Sequence, residues 1–251
     1  MDGILIVDKP TGWTSHDVVA VARRQAGHAR TGHGGTLDPA ASGVLPILFG
    51  PATKFVERLH TAPKVYGALI AFGAETSTDD REGAVTREAG SPTLTPAALD
   101  AALAPFRGEI AQTPPDHSAV KVGGRTAYAR ARAGETLALA PRTVTIHRLE
   151  AALWCPPLLR CLVVCSSGTY IRSLARDLGR SLGSAAHLAG LVRLAVGSLD
   201  LAAALPVEAL RTATAEALAA RTVPATDAVL PLPARYLEAP AAELLGSWTP
   251  G

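Results

Sequence analysis

The apolar positions of this chain form short runs. Some runs have the periodicity of β-strands and others have that of α-helices. Four runs are rich in strand-forming side chains and are bounded by turn-forming residues, which is typical of β-strands. The second of them alternates and carries Tyr66 near its start. We predict strands over residues 3–7, 64–73, 143–153 and 158–166.

Four other segments have the pattern of helices. Ser15 is predicted to cap the first helix, which presents the apolar residues Val18 and Val19 and stops at Gly27. Thr95 forms the N-cap of the third helix, which begins at a proline. We predict helices over residues 16–26, 51–59, 96–106 and 170–182.

An acidic stretch at residues 75–83 has a superficial likeness to a cation-binding loop. It contains the string STDDREG, but the Asp-x-Asp spacing of an EF-hand and its closing glutamate are absent. We therefore predict that residues 75–83 form a solvated turn.

The composition is that of a globular protein. The chain has 251 residues, 48% of them hydrophobic, which is enough for one large domain or two. No apolar run reaches the ~18 residues of a membrane span, and the N-terminus lacks the features of a secretory signal. The three cysteines, Cys155, Cys161 and Cys165, have no C-x-x-C spacing. We therefore predict no disulfide framework, no metal site and a reducing, cytoplasmic location.

Charge is distributed unevenly along a chain whose formal net charge is only +2. Residues 107–193 contain 12 Lys or Arg against 5 Asp or Glu, whereas the remainder contains 12 against 17. A local excess of positive charge is expected of a phosphate-binding face. The alternative is that these arginines are scattered over a solvated surface.

One glycine-rich stretch, residues 31–54, presents a single carboxylate in the sequence TGHGGTLDPAASGVLPILFGPATK. Gly34 and Gly35 allow a positive φ or a close approach of the backbone to a ligand. Pro39 disfavours the helical region for Asp38, so we expect Asp38 in an extended or turn conformation. A carboxylate on a stiff loop suits a nucleophile or a base. The alternative is a tight turn in which Asp38 is an Asx-type cap.

The string HGGTLDPAASGVLP resembles the catalytic motif of the TruB family of tRNA pseudouridine synthases. The stretches ILIVDKPTGWTS, PPDHSAVKVGGRTAYARAR and CSSGTYIRSLARDLG resemble further motifs of that family. The resemblance covers residues 3 to about 200. It implies an α+β pseudouridine synthase fold: mixed α/β, with a central, mostly antiparallel sheet flanked by helices and an inserted RNA-gripping subdomain.

The resemblance also implies how the chain is divided. The catalytic domain would occupy residues 1–204, with the RNA-gripping insertion at about 107–142. Members of the family often carry a C-terminal RNA-binding PUA domain. Residues 205–251 form a short C-terminal tail that is too short for a complete PUA domain, and this is the main departure from the family pattern.

The family isomerises uridine 55 in the T-loop of tRNA to pseudouridine, and the resemblance implies the same reaction here. The N1–C1′ bond breaks, the base rotates, and C5 bonds to C1′ after the base has left its stack. No cofactor is implied, which agrees with the absence of a dinucleotide or Walker fingerprint. The expected partner is the T-stem-loop of tRNA, and the expected state is a monomer that does not associate with membranes.

The functional residues of the family match several positions of this chain. Asp38 matches the essential aspartate, which could add to C6 of the ring or act at C1′, and Arg172 matches the arginine that pairs with it. Tyr66 matches the tyrosine that stacks on the base and is suspected of removing the C5 proton. The remaining matches are His33, which supports the space left by the flipped base, Tyr170 and Leu191, which contact the uracil, and Lys9, a structural support with potential RNA contact.

Four basic side chains of the insertion are candidates for contacts with RNA phosphates: Lys121, Arg125, Arg130 and Arg132. Tyr128, among them, either stacks on RNA or packs in the protein. The site residues also have purely structural interpretations, namely a surface arginine for Arg172, a core tyrosine for Tyr66 and a hydrogen-bonded loop histidine for His33.

Two rival classes of function remain to be weighed. The HGG string at residues 33–35 is similar to an esterase oxyanion loop, but the chain contains no G-x-S-x-G nucleophile elbow. A non-catalytic tRNA-binding or tRNA-folding protein on the same scaffold would not need Asp38, Arg172 and Tyr66 together. The presence of all three favours an enzyme.

Overall fold

The computed structural model describes residues 1–28, 30–118, 120–122, 124–127, 130, 135, 139–227, 231–246 and 248. The strands are β1 (Gly3–Lys9), β2 (Thr31–His33), β3 (Ala41–Phe49), β4 (Lys64–Phe72), β5 (Ala74–Thr76), β6 (Val85–Glu88), β7 (Gly108–Gln112), β8 (Lys121–Val122), β9 (Arg125–Thr126), β10 (Arg142–Cys155), β11 (Leu158–Cys165), β12 (Ala186–Val196), β13 (Leu199–Asp200) and β14 (Leu205–Pro206). The α-helices are α1 (Ser15–Ala26), α2 (Val56–Thr61), α3 (Pro96–Leu103), α4 (Ile171–Ser181), α5 (Val207–Leu210), α6 (Ala215–Ala220), α7 (Arg235–Glu238) and α8 (Ala241–Leu245).

The chain divides into two compact units, each built from segments that are distant in the sequence. The first unit contains Met1–Gly67 and Leu191–Ala239. The second contains Ala68–Gly190 and Pro240–Trp248.

In the first unit the strand order is β14-β1-β3-β12. Strand β1 is antiparallel to β3, whereas β14 runs parallel to β1 and β12 runs parallel to β3. Strands β2 and β13 pair antiparallel with β3 and β12. Strand β1 is buried along almost its whole length, as its continuous apolar run predicts for a central strand.

In the second unit the strand order is β4-β11-β10-β7, and β4 contributes to this unit only its residues after Gly67. Strand β10 is antiparallel to both of its neighbours. The pairs β5–β6 and β8–β9 form separate antiparallel ribbons. The predicted fold class, mixed α/β with a large and mostly antiparallel sheet, is confirmed.

Helix α1 begins as predicted, but its cap is a different residue. Thr14, not Ser15, is the N-cap: its hydroxyl accepts from Asp17 N, and the Asp17 carboxylate accepts from Thr14 N at 2.9 Å. This reciprocal capping box satisfies two backbone donors at once, which favours it over a single serine cap. The helix ends at Gly27, which has a φ of 58° as predicted for a left-handed stop.

Two other helices differ from their predictions. The helix predicted over residues 51–59 is a 3₁₀ helix over Gly50–Phe55 followed by α2. The helix that starts at Pro96 ends at Leu103, and a 3₁₀ turn follows because Pro105 has no backbone N–H to donate. The remaining predicted strands and helices agree with the structure to within two residues at each end.

The turn predicted within residues 75–83 is present between β5 and β6, but the prediction that it is solvated is wrong. Glu75 and Asp79 are only 4% and 8% exposed. Glu75 accepts ion-paired hydrogen bonds from Arg87 at 2.6 Å and from Arg180 at 2.7 Å. Pairing with guanidinium groups allows these carboxylates to be buried, and a local sequence pattern does not show such partners.

The predicted insertion at residues 107–142 begins and ends within the sheet. Strand β7 pairs with the start of β10, from Gly108 opposite Ile146 to Gln112 opposite Arg142. The backbone therefore leaves the sheet after Gln112 and returns at Arg142. The predicted bounds of catalytic domain, insertion and tail remain predictions.

The first part of the predicted tail packs into the core of the first unit. Leu205, Leu210 and Leu218 are buried in one apolar cluster with side chains of α1, β1 and β3. Val223 exchanges two backbone hydrogen bonds with Ile4, at 2.8 and 2.9 Å. This segment is therefore part of the folded unit that carries Asp38.

Candidate active site

Asp38 is half-buried in the loop between β2 and β3. Its carbonyl oxygen accepts a hydrogen bond from Ala41 N at 3.0 Å. Pro39 takes the second position of the resulting four-residue turn, where its fixed φ is favourable. The turn conformation predicted for Asp38 is therefore confirmed.

Hydrogen bonds hold this loop on both sides of Asp38. Before it, Leu37 N donates to the Ser15 hydroxyl at 2.9 Å, and that hydroxyl donates to Leu37 O at 3.1 Å. After it, Pro39 O accepts from Gly12 N at 2.8 Å. The residues on either side of Asp38 are thus fixed to Ser15 and Gly12 at the junction of β1 and α1, which limits the movement of the carboxylate between them.

Lys9 lies beneath the loop with its side chain fully buried. Its ammonium group donates to the carbonyls of Trp13 at 2.7 Å, Pro10 at 2.9 Å and Pro39 at 3.4 Å. Desolvation lowers the pKa of Lys9 to about 8, and attraction to Asp38 opposes that shift. These contacts are those of a structural support, and the predicted contact of Lys9 with RNA stays a prediction.

Glycine is required at positions 34 and 35 for two different structural reasons. Gly35 has a φ of 125°, in the region that favours glycine. A Cβ at Gly34 would lie 2.3 Å from Leu59 Cδ1. The positive φ expected of this pair is present at Gly35, whereas Gly34 allows a close approach to a neighbouring side chain.

Three other predicted site residues lie in the first unit. His33 is half-buried. Desolvation is the main cause that lowers the pKa of its imidazole, and the charge of the nearby His16 lowers it further. Its Nδ1 atom is buried and has no hydrogen-bond partner among the residues that the structure describes. Tyr66 is 9% exposed on β4. Leu191 stands opposite Ala41 in the parallel β12–β3 register, which brings it beside the strand that follows Asp38.

In the second unit Arg172 is 7% exposed in the first turn of α4, as predicted. Its two terminal nitrogens donate to Thr78 O and His117 O, both at 3.0 Å, and Nη1 lies 3.8 Å from Oδ2 of Asp80. The guanidinium group therefore joins the acidic loop to the segment that follows β7. The predicted pairing of Arg172 with Asp38 stays a prediction.

Tyr170 precedes α4 and is held through its backbone. Tyr170 N donates to Gln112 Oε1 at 2.8 Å, and Gln112 Nε2 donates to Tyr170 O at 3.1 Å. This pair fixes the start of α4 to the end of β7. The predicted contact of Tyr170 with the uracil stays a prediction.

A second buried arginine follows Arg172 by one helical turn. Arg176 donates to Asp79 Oδ2 at 2.7 Å and to Thr113 O at 3.0 Å. Burial raises the pKa of the Asp79 carboxyl despite the opposing charge of Arg176. Asp79 itself has a φ of 59°, which is uncommon for a residue other than glycine.

The predicted phosphate-binding residues are only partly described. Arg130 Nε donates to Glu135 Oε2 at 2.6 Å, so its described partner is a carboxylate of the same segment. Lys121 and Arg125 lie in the β8–β9 ribbon, and their side chains fall outside the described part. Arg132 and Tyr128 lie outside the described residues.

Among the described residues, no three His, Cys, Asp or Glu side chains are grouped so that they could hold a metal ion. In the same part of the chain, no helix has the length and apolar character needed to cross a membrane.

A family model described as TruB family pseudouridylate synthase (N terminal domain) matches residues 23–171, more than half of the chain. The chain belongs to the TruB family. The matched region includes the Asp38 loop, Tyr66 and the first residue of α4.

Relatives of this TruB-family chain agree with that assignment. A tRNA pseudouridine synthase B of Parasynechococcus marenigrum is 53% identical over 81% of this chain and 71% of its own length. The protein of the same name from Gloeobacter violaceus is 45% identical over 100% of this chain and 87% of its own.

Solved structures show the same fold. A chain in the crystal structure of a Cbf5-Nop10-Gar1 complex is 30% identical, with a TM-score of 0.65 over 82% of this chain and 52% of that chain. A chain in the archaeal box H/ACA sRNP Nop10-Cbf5 complex is 27% identical, with a TM-score of 0.66 over 90% of this chain and 61% of that chain. The TruB-family chain thus spans about half to three fifths of these solved chains.

Sequence reasoning missed three supports of the TruB-family site: Ser15, Arg176 and Arg193. Arg176 lies one turn after Arg172 and so on the same helix face, which is a signal that could have been used. Arg193 interrupts the apolar run LVRLAV, and a charged residue inside such a run indicates a buried, hydrogen-bonded charge. No local signal points to the bond between Ser15 and Leu37.

Proposed function

We propose that this TruB-family protein isomerises uridine 55 in the T-loop of tRNA to pseudouridine, with Asp38 as the reacting carboxylate. Relatives named tRNA pseudouridine synthase B support the reaction and the class of RNA, because this chain aligns with 71% to 87% of their lengths. The observation that carries the role of Asp38 is its loop, which hydrogen bonds hold on both sides while Asp38 itself is half-buried.

The reaction rearranges one nucleoside and needs no external oxidant or energy source. The N1–C1′ bond breaks, the detached uracil rotates, C5 bonds to C1′, and the proton on C5 moves to N1 of the product through the site. Asp38 takes part as an ionised carboxylate, by addition at C6 or by attack at C1′. Both routes leave the sum of atoms unchanged and return Asp38 to its starting state.

The target base must leave its stack to reach Asp38, and apolar side chains must hold it after the glycosidic bond breaks. Tyr66 and Leu191 supply such surfaces in the first unit, and Tyr170 is proposed to add one. The phenol of Tyr66 is proposed to accept the C5 proton. Arg172 is proposed to pair with Asp38, since a guanidinium group favours and orients a carboxylate.

Binding of the T-stem-loop is proposed to involve the basic residues of the insertion. Lys121, Arg125, Arg130 and Arg132 would neutralise phosphates, and the attraction would weaken as salt rises. Arg130 would exchange its bond with Glu135 for a phosphate oxygen. We propose that the protein acts as a cytoplasmic monomer.

The test is Asp38→Asn, which keeps the size of the side chain and removes its charge. We expect single-turnover pseudouridine formation in tRNA to vanish, while tRNA affinity stays within about tenfold, or ~1.4 kcal/mol. Asp100→Asn is the matched control, because Asp100 is an exposed aspartate paired with Arg107 on the surface. Its turnover should equal that of the unmodified protein.

An Asp38→Asn variant that retains full turnover would exclude Asp38 as the reacting group. If the unmodified protein bound tRNA but formed no pseudouridine, the non-catalytic tRNA-binding protein would be the better description. Mapping the modified position separates uridine 55 from any other uridine.

A further inference from the structure

Arg193 is a buried cation that bonds to the backbone of the Asp38 loop. It lies inside β12 and is 2% exposed. Its Nε donates to Val44 O at 2.8 Å, Nη2 donates to Gly35 O at 3.1 Å, and Nη1 donates to Thr36 O at 3.3 Å. One planar group therefore contacts two carbonyls of the Asp38 loop and one carbonyl of β3, the strand that follows it.

These three carbonyls lie on both sides of Asp38 in the sequence. Gly35 and Thr36 precede the carboxylate, and Val44 follows it on β3. A single guanidinium group thus ties the entrance of the loop to its exit. The span of backbone between these points contains Asp38 and its turn.

The backbone of Arg193 also lies against the loop. In the parallel β12–β3 register Arg193 stands opposite Gly43. A Cβ at Gly43 would lie 2.2 Å from Arg193 O, and Gly43 has a φ of 103°. Only glycine allows this close approach, so both the side chain and the main chain of residue 193 fix the loop exit.

Stability alone is a poor reason for this arrangement. The described partners of Arg193 are neutral carbonyls, and a buried charge is expensive to desolvate. An apolar side chain of similar volume would avoid that cost but would leave the three carbonyls without this donor, so what the guanidinium group adds is the link between them. The second buried cation, Lys9, bonds to Pro39 O on the same loop.

We propose that Arg193 is a positioning residue for the reaction of Asp38, because its guanidinium group holds the two ends of the Asp38 loop in register. The proposal rests on the proposed function of Asp38. Its physical basis is that a reacting carboxylate must be held close to its productive geometry, and a displacement of about 1 Å can cost about 10²-fold in rate.

The guanidinium group is suited to this role by its shape. It is planar and presents donors in fixed directions, so three carbonyls at different positions can be bonded at once. A lysine at this position keeps the charge but concentrates its donors on one nitrogen. A glutamine keeps two donors and removes the charge.

The experiment compares Arg193→Lys and Arg193→Gln with the unmodified protein and with Asp38→Asn. For each we would measure the single-turnover rate of pseudouridine formation at saturating protein, the Kd for tRNA and the melting temperature. We expect Arg193→Gln to react about 10²-fold more slowly with a Kd within about threefold, and Arg193→Lys to recover part of that rate.

Leu218→Ala is the control for a general loss of stability. Leu218 is fully buried in the apolar cluster beside α1, and it makes none of the loop contacts of Arg193. All rates are compared at a temperature where each variant is folded by circular dichroism. A positioning role predicts a reduced single-turnover rate in Arg193→Gln and an unchanged rate in Leu218→Ala, even where the melting temperatures of the two variants fall equally.

Several outcomes overturn the proposal. An Arg193→Gln rate equal to that of the unmodified protein, with Asp38→Asn inactive, overturns the role of Arg193 and leaves the proposed function standing. An equal loss of rate in Leu218→Ala would show that Arg193 acts only as a stabilising residue. Full turnover in Asp38→Asn overturns both proposals. If Arg193→Gln does not fold, Arg193→Lys decides, and a wild-type rate in that variant ends the proposal.

Discussion

Replacing Glu75 by Gln should destabilise the protein by an amount that depends on pH. Glu75 joins β5 to α4 through Arg180 and also accepts from Arg87. The hydrogen bond from Arg180, with the one from Arg87, lowers the pKa of Glu75 from 4.5 to about 2. At 1.36 kcal/mol per unit, this difference corresponds to about 3.4 kcal/mol. Arg87 and Arg180 are 43% and 56% exposed, so solvent screens them, and we expect a loss of about 2 kcal/mol at pH 7.

The sign of the pH dependence follows from the direction of the shift. The pKa of Glu75 is lower in the folded protein than in the unfolded chain, so the stabilisation is complete well above pH 4.5 and is lost as the pH falls toward 2. Glu75→Gln has no titrating group at this position. The difference between the two proteins should therefore fall to less than half of its value when the pH is lowered from about 7 to about 3.

Thermal unfolding followed by circular dichroism measures this difference. For a chain of this size, about 2 kcal/mol corresponds to a fall of roughly 4–8 °C in Tm at pH 7. Glu88→Gln is the matched control, because Glu88 is an exposed residue of the neighbouring β6. The reasoning is refuted if both variants lose the same amount of stability, or if the loss of stability in Glu75→Gln is as large at pH 3 as at pH 7.

Two further predictions concern RNA. Tyr66→Phe should keep tRNA affinity, because the ring supplies the stacking surface. It should lower the single-turnover rate by about 10²-fold if the phenol accepts the C5 proton. An unchanged rate contradicts that role. Arg130→Ala should reduce the slope of log Kd against log salt by about one unit, whereas Glu135→Ala, which removes the described partner of Arg130, should not weaken binding. Equal weakening in the two variants would indicate that the ion pair matters only for the structure of the insertion.

Local signals were sufficient for the parts of the site that are fixed by neighbouring residues. Pro39 restricts Asp38, and the turn it predicts is present. The stop of α1 at Gly27 follows from the left-handed conformation that glycine accepts. The start of α4 places Arg172 in the first helical turn because the helical pattern begins at that point. In each case the cause lies within a few residues of the effect.

The parts that sequence reasoning missed depend on contacts between distant segments. Ser15 caps no helix because its hydroxyl is used by Leu37, 22 residues away. Glu75 is buried because Arg180 reaches it from 105 residues away. Burial of a polar residue is decided by the partner that the fold supplies, and a local pattern contains no information on that partner.

Two buried cations of the first unit, Lys9 and Arg193, bond to the backbone around Asp38. A carbonyl oxygen carries a partial negative charge and is costly to bury without a hydrogen-bond donor. Around Asp38, the carbonyls of Gly35, Thr36 and Pro39 instead bond to Arg193 or Lys9. The negative ends of these dipoles are thus directed to buried positive charge. A loop built in this way has its backbone held by hydrogen bonds to buried cations, and such rigidity is required of a nucleophile that must react without first being moved into place.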